Sequence, residues 1–201
     1  MPKEYIDAGA DHGILEVLPY LNYTPASALA EFVDNSVQSY INDKAILKGQ
    51  SKKYKLRIKI TVSKNKKIIT ISDNAGGIAD KDWERALKAA AKPNIQKKGS
   101  LNEFGMGMKC AAYWFSRKWA IQTKSIREKV VKTVDLDLDK ITTSKDGKAR
   151  VNRVDTGSVK RSGTLITLKN CQQTIGNMKS FIEKLESIHR NFLNNEIEII
   201  Y

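Results

Sequence analysis

The segment 55–63 constrains the fold more than any other. Its apolar residues Leu56, Ile58, Ile60 and Val62 alternate with Lys55, Arg57, Lys59 and Thr61. Successive side chains of a strand point to opposite faces, so the alternation predicts a strand with one buried and one solvated face. Residues 63–66 read as a turn and 67–72 as a second strand, which makes 55–72 a β-hairpin. Helical periodicity then recurs along the chain. Over 27–41, Leu29, Phe32, Val33, Val37, Tyr40 and Ile41 recur at helical spacing, with Thr24 and Pro25 as cap and first turn. Further helices are expected at 79–91, 106–115 and 175–194. The last carries Met178, Phe181, Ile182, Leu185, Ile188, Phe192 and Leu193 on its apolar side. Strands are expected near 118–124, 129–136, 164–169 and 196–201. Residues 1–24 read as irregular, 93–105 as a polar loop and 140–162 as a polar stretch between strands. The order predicts a layered α+β chain with a largely antiparallel sheet.

Charge and cysteine usage narrow the function classes. The 201 residues are one domain's worth. The 35 Lys and Arg against 22 Asp and Glu leave a formal charge of +13, which attracts anions: nucleic acid, nucleotide or an acidic partner. Two cysteines, Cys110 and Cys171, exclude a disulfide scaffold, and with only two histidines they argue against structural zinc. No run approaches the roughly 20 apolar residues of a membrane span. The N-terminus lacks the apolar stretch of a secretory signal, so a cytoplasmic protein is expected.

Four segments carry chemistry. In the first helix, Glu31 and Asn35 are four residues apart and share a face. A carboxylate there polarises a water and an amide oxygen ligates a hard cation, or the pair is a solvated face. The run from Ser72 through Asp73, Asn74, Ala75, Gly76, Gly77 and Ile78 ends a strand and precedes a helix. It reads either as an acceptor for an exocyclic amine beside close-approaching backbone, or as an ordinary turn. Gly105, Met106, Gly107, Met108 and Lys109 open a helix. They form a helix-start anion site with an added cation, or a glycine-softened junction. Gly163 and Thr164 open the fourth, an apolar strand with a hydroxyl at its head.

In order and spacing the four segments resemble the GHKL (Bergerat-fold) ATPase superfamily over about residues 20–170, closest to its MORC-like and heat-shock-chaperone-like hydrolysing branch. The matching positions are Glu31 and Asn35, then Asp73 and Gly77, then Gly105, Gly107 and Lys109, then Gly163 and Thr164. The resemblance implies a two-layer α/β sandwich: a mostly antiparallel mixed sheet with helices on one face. It implies ATP and Mg²⁺ as cofactors. Glu31 and Lys109 would be catalytic, Glu31 as general base and Lys109 facing the terminal phosphates. Asn35 would ligate the metal and Asp73 would accept from the adenine amine. Gly77, Ile78, Gly105, Met106, Gly107, Met108 and Thr164 would complete the nucleotide site. Residues 92–109 would form an ATP lid and 1–24 an N-terminal arm. The one departure is Ala75, where the family pattern has glycine; a methyl group is compatible with negative φ but narrows the adenine end.

Slow Mg²⁺-dependent ATP hydrolysis driving nucleotide-gated homodimerisation is the leading expectation, in the N-terminal part of a longer protein. Two alternatives stay open. One is a non-enzymatic module with a degenerate pocket that binds nucleic acid or protein. The other is a histidine-kinase-type catalytic domain, against which stand Lys109 and the small histidine count. His189 reads as an ordinary surface or boundary residue. The nucleic-acid expectation rests on 52–67, where Lys52, Lys53, Lys55, Arg57, Lys59, Lys64, Lys66 and Lys67 occur without an acidic residue. Lysines on an exposed strand also discourage edge-to-edge aggregation.

Overall fold

The computed structural model describes residues 4–7, 12–51, 53–87, 106–144, 147–157, 161–190 and 196–201. The expected hairpin is β2 (Leu56–Ser63) and β3 (Ile68–Asp73), antiparallel from Ile58 opposite Asp73 to Ser63 opposite Ile68. Leu56, Ile58 and Ile60 are buried, and Arg57, Lys59 and Thr61 are exposed. The other strands of the main sheet are β4 (Lys118–Lys124), β5 (Val130–Asp137), β7 (Asn152–Asp155), β8 (Gly163–Lys169) and β9 (Ile197–Ile200). Their order is β7-β5-β4-β8-β3-β2-β9. Every pairing is antiparallel except β2 with β9, so the sheet is mixed, as expected.

Helix α2 (Pro25–Gln50) starts at the expected cap and runs nine residues past the expected end at 41. The Thr24 hydroxyl accepts from the Ser27 N–H at 3.1 Å, and the Ser27 hydroxyl accepts from the Thr24 N–H at 2.8 Å. This reciprocal pair satisfies two donors that a helix start leaves orphaned. The extra turns hold because Leu47 enters the core while Lys44 and Lys48 both pair with Glu196, just before β9. Ile41, expected in the apolar stripe, is 49% exposed. At about 100° per residue it lies some 120° around from Leu29, off the buried side.

Helix α3 (Asp80–Leu87) begins as expected, and its expected last turn, 88–91, lies outside the described residues. Helix α4 (Gly107–Phe115) packs against α2 and buries every residue from Met108 to Phe115. Helix α6 (Met178–Ile188) also packs on α2 and stops earlier than expected; 191–195 lie outside the described residues.

Two expectations are corrected. The polar stretch 140–162 contains structure: α5 (Leu138–Thr143), β6 (Lys148–Arg150) and β7, with Ile141, Ala149 and Val151 buried. Residues 1–24 are not wholly irregular. They form β1 (Tyr5–Asp7), α1 (His12–Val17) and a 3-10 turn over Leu18–Tyr20. Strand β1 pairs with β6, and Leu15 and Leu18 join the core, which ties the arm to its own chain. Short segments without a strong period are set by such tertiary contacts rather than by pattern. Among the described residues, no helix is long and apolar enough to cross a membrane.

The cap gives a stability prediction. Thr24→Ala removes one half of the reciprocal pair and is expected to cost about 1 kcal/mol, lowering the melting temperature by about 2–4 °C. Thermal denaturation followed by circular dichroism measures it; an unchanged midpoint would mean that packing alone sets the start of α2.

Candidate functional site

Capping fixes the register of α2 and thereby the direction of its polar face. Glu31 is half-buried on that face. Tyr23, just before the cap, donates its hydroxyl to Glu31 Oε1 at 3.4 Å while its ring meets the Trp114 ring edge-on at 6.1 Å. The other Glu31 oxygen lies against the start of α4. A Cβ built on Gly107 would sit 1.9 Å from Glu31 Oε2, so a side chain there would push the carboxylate aside. Burial raises the Glu31 carboxyl above its ordinary value, the Asp34 charge raises it further and the Tyr23 hydroxyl pulls it back. Asn35 donates its amide nitrogen to the Glu31 carbonyl at 2.6 Å. Its amide oxygen is the atom suited to a hard cation.

Asp73, at the end of β3, joins three segments. Its Oδ2 accepts from the Ser36 hydroxyl of α2 at 2.8 Å. Its Oδ1 accepts from the Ala75 N–H at 2.9 Å and from the Thr164 N–H of β8 at 3.2 Å. Burial pushes the Asp73 carboxyl up, and these three hydrogen bonds, which favour the ionised form, hold it back.

The turn after Asp73 is tightly fitted. Gly77 has φ +68°, and a Cβ there would meet the Lys124 carbonyl oxygen at 2.0 Å. Gly163 has φ +146°, and its Cβ would lie 2.2 Å from the Asp73 carbonyl oxygen. Ala75, the departure from the family pattern, is fully buried and absent from the positive-φ positions, so its methyl group costs no backbone strain. Ile78 donates its N–H to Thr123 Oγ1 at 3.0 Å. The Thr123 hydroxyl also lies 3.1 Å from both the Gly163 carbonyl and Thr164 Oγ1. Thr123 thus couples the second and fourth segments. Sequence reasoning missed it, because a threonine in a strand carries no signal.

Lys109 takes an unexpected position. It is 1% exposed, and its ammonium donates to the Arg85 carbonyl of α3 at 3.2 Å. Burial lowers it to about 8, with Arg85 adding to the effect and Cys110 opposing it. Met106 precedes α4 and its carbonyl accepts the Cys110 N–H at 2.9 Å; Met108 is buried. Gly105 and the rest of 92–105, most of the lid expected over 92–109, lie outside the described residues. The described structure therefore brings Glu31 to Gly107 and Asp73 to Thr164, links Ile78 to Thr164 through Thr123, sets Gly77 against Lys124, and turns Lys109 toward α3.

His189 is not a surface or boundary residue. It is 1% exposed at the end of α6, with Nε2 3.0 Å from Asp34 Oδ1. The partner lies 155 positions away in the chain, a distance local periodicity does not span. Of the basic strand, Lys55, Arg57 and Lys59 are exposed, and Arg57 pairs with Glu198 at 3.4 Å. Among the described residues, no three His, Cys, Asp or Glu side chains cluster to hold a metal. A cation at Asn35 would draw its remaining ligands from water and a bound anion, which suits Mg²⁺.

A family model described as "Histidine kinase-, DNA gyrase B-, and HSP90-like ATPase" matches residues 23–185. That span takes in both Glu31 and Thr164. No curated protein matches the chain.

Glu31 supplies a pH test. Its carboxyl is raised above 4.5 in the folded protein, so folding favours the protonated form. That contribution is present below the unfolded value and is lost as pH rises through the folded one, which leaves an ionised, desolvated carboxylate at neutral pH. Glu31→Gln is expected to be more stable than wild type at pH 7, by a margin that shrinks toward pH 4. Urea unfolding at both values measures it; a variant less stable than wild type at pH 7 contradicts the desolvation argument.

Proposed function

The chain belongs to the histidine kinase-, DNA gyrase B- and HSP90-like ATPase family, and we propose that it binds ATP with Mg²⁺, hydrolyses it slowly and associates into a homodimer when ATP is bound. ATP binding follows from the family; hydrolysis and association are the further steps. The observation that carries the hydrolytic reading is the contact between the Glu31 carboxylate and Gly107 at the start of α4. The start of a helix offers unpaired N–H groups and partial positive charge to a phosphate. A carboxylate beside it lies where a water attacking that phosphate would be deprotonated.

The remaining roles are those that the family resemblance implies. Asp73 accepts a hydrogen bond from the adenine amine, and Thr164 and Gly77 complete that end through a water. Asn35 would hold Mg²⁺, which would neutralise phosphate charge. Raising the Glu31 carboxyl by burial makes its ionised form a stronger base. Gly105, Met106, Gly107 and Met108 supply backbone to the phosphates. Lys109 would turn from the Arg85 carbonyl to face the terminal phosphate, whose charge would favour its ammonium form against burial. Phosphoryl transfer needs mainly positioning and charge stabilisation, so this sparse set is sufficient.

A second reading, nucleic-acid binding through the basic strand, is favoured by the exposure of Lys55, Arg57 and Lys59 on one face. It is compatible with the first. Duplex DNA binding that weakens with salt and is lost in a Lys55→Glu/Lys59→Glu variant would support it; binding unaffected by that double change would end it.

Calorimetric titration tests the main reading. Wild type is expected to bind ATP more tightly with Mg²⁺ than without, and Asp73→Asn to lose binding while keeping its circular dichroism spectrum. Glu31→Ala is expected to bind ATP and to lose turnover by about two orders of magnitude or more. Sedimentation with a non-hydrolysable analogue should show a dimer. Turnover unchanged in Glu31→Ala would remove the general-base role, and equal sedimentation with and without analogue would remove the dimer.

A further inference from the structure

We propose that Asn74 and Tyr54 are positioning residues for the base end of the site: they splice the turn after Asp73 onto β2 and so aim the Asp73 carboxylate. The proposal deepens the adenine reading above and rests on it. The backbone ladder between β2 and β3 ends at the pair Ile58 and Asp73. One step further, the Asn74 side chain takes over. Its Oδ1 accepts from the Arg57 N–H at 2.7 Å, and its Nδ2 donates to the Lys55 carbonyl at 3.0 Å. The carboxamide thus stands in for one more peptide group of a strand. Among short side chains only a carboxamide does this, because it accepts at one atom and donates at another. The Asn74 carbonyl is held as well, by the Tyr54 hydroxyl, which donates to it. Tyr54 is itself fixed. Its ring stacks on that of Tyr40 in α2, with centroids 6.1 Å apart and planes 10° apart, and its N–H donates to the Ser51 carbonyl at 3.0 Å.

The consequence falls on Asp73. The next N–H along the turn, that of Ala75, donates to Asp73 Oδ1 at 2.9 Å. With Asn74 fastened at both its side chain and its carbonyl, the chain has little freedom to carry that N–H away. The carbonyls that follow are taken by other elements: Ala75 by the Ser162 hydroxyl at 2.6 Å, and Gly76 by the Ile126 N–H at 2.8 Å. Those ties lie further along the turn. Asn74 alone stands between Asp73 and Ala75, so it sets the angle at which the carboxylate meets its own turn. A carboxylate held at one angle discriminates sharply between a donor and an acceptor on a base. One that is free to rotate and take up water discriminates less. Asn74 and Tyr54 act through Asp73 and need no contact with the base.

Calorimetric titration of the whole chain with ATP and with inosine triphosphate, which presents an oxygen in place of the adenine amine, tests this. In Tyr54→Phe, which keeps the stacked ring, the preference for ATP is expected to fall about threefold or more, and in Asn74→Ala about tenfold. A change that only weakened the fold would lower both affinities alike and leave their ratio untouched. Amide hydrogen exchange without nucleotide is the second arm. The Ala75 N–H is expected to exchange about tenfold faster in Asn74→Ala, with the Ile69 and Ile71 amides unchanged, and to respond in the same direction in Tyr54→Phe. An ATP preference unchanged in Tyr54→Phe, or Ala75 exchange unchanged in both variants, overturns the proposal. If Asn74→Ala fails to fold, Tyr54→Phe decides alone. A wild type without ATP preference, whose Ala75 exchange responds as expected in the variants, would count against the adenine reading alone.

Discussion

The Asp73 carboxylate is the point on which the site depends. One oxygen takes the Ser36 hydroxyl from α2, and the other takes backbone N–H groups from its own turn and from β8. A desolvated carboxylate with fewer partners would be costly. With three donors it fixes the distance between helix layer and sheet at this end of β3. The glycines around it follow from that closeness. Gly163 stands where a side chain would strike the Asp73 carbonyl, and Gly77 where one would strike Lys124. The backbone at this end of the sheet is drawn too tight for any other residue.

A second close approach organises the other end. Gly107 lets the first turn of α4 meet the Glu31 carboxylate, and Tyr23 holds the opposite oxygen from the segment that caps α2. The Glu31 carboxylate is thus positioned by two elements that are both locked to the core, Tyr23 through Trp114 and α4 through its buried face. Lys109 shares the helix with Gly107 but serves α3 through the Arg85 carbonyl. One helix therefore carries both the contact to Glu31 and a buried lysine.

Much of this was legible in the sequence, for identifiable reasons. Strand β2 shows a strict period of two because only one face of the sheet is covered. The start of α2 was readable because Thr24, Pro25 and Ser27 act over three residues. The four site segments are each weak alone and were joined only by the family pattern they resemble, while the tight fit of Gly77 and Gly163 is a fact of the folded backbone. The rest was set by contacts distant in sequence. Ser36, Thr123 and His189 are ordinary residues until α2, β4, β8 and α6 are packed together. The continuation of α2 past 41 depends on Glu196, 148 residues beyond Lys48. The short elements β1, β6 and α5 have too few residues to show a period, and the burial of Leu15 and Ala149 arises only in the folded chain.

The central claim is that Asp73 reads the amino group of adenine at a site that α2 and β8 hold rigid. The most direct measurement is calorimetric titration of the wild-type chain with ATP and with inosine triphosphate, which carries an oxygen where adenine carries that amine. A hydrogen bond to a charged acceptor is worth about 1.5–3 kcal/mol, so ATP is expected to bind about ten- to a hundred-fold more tightly. Equal affinity for the two nucleotides would contradict the account, because an acceptor-only carboxylate cannot be indifferent to the exchange of a donor for an acceptor.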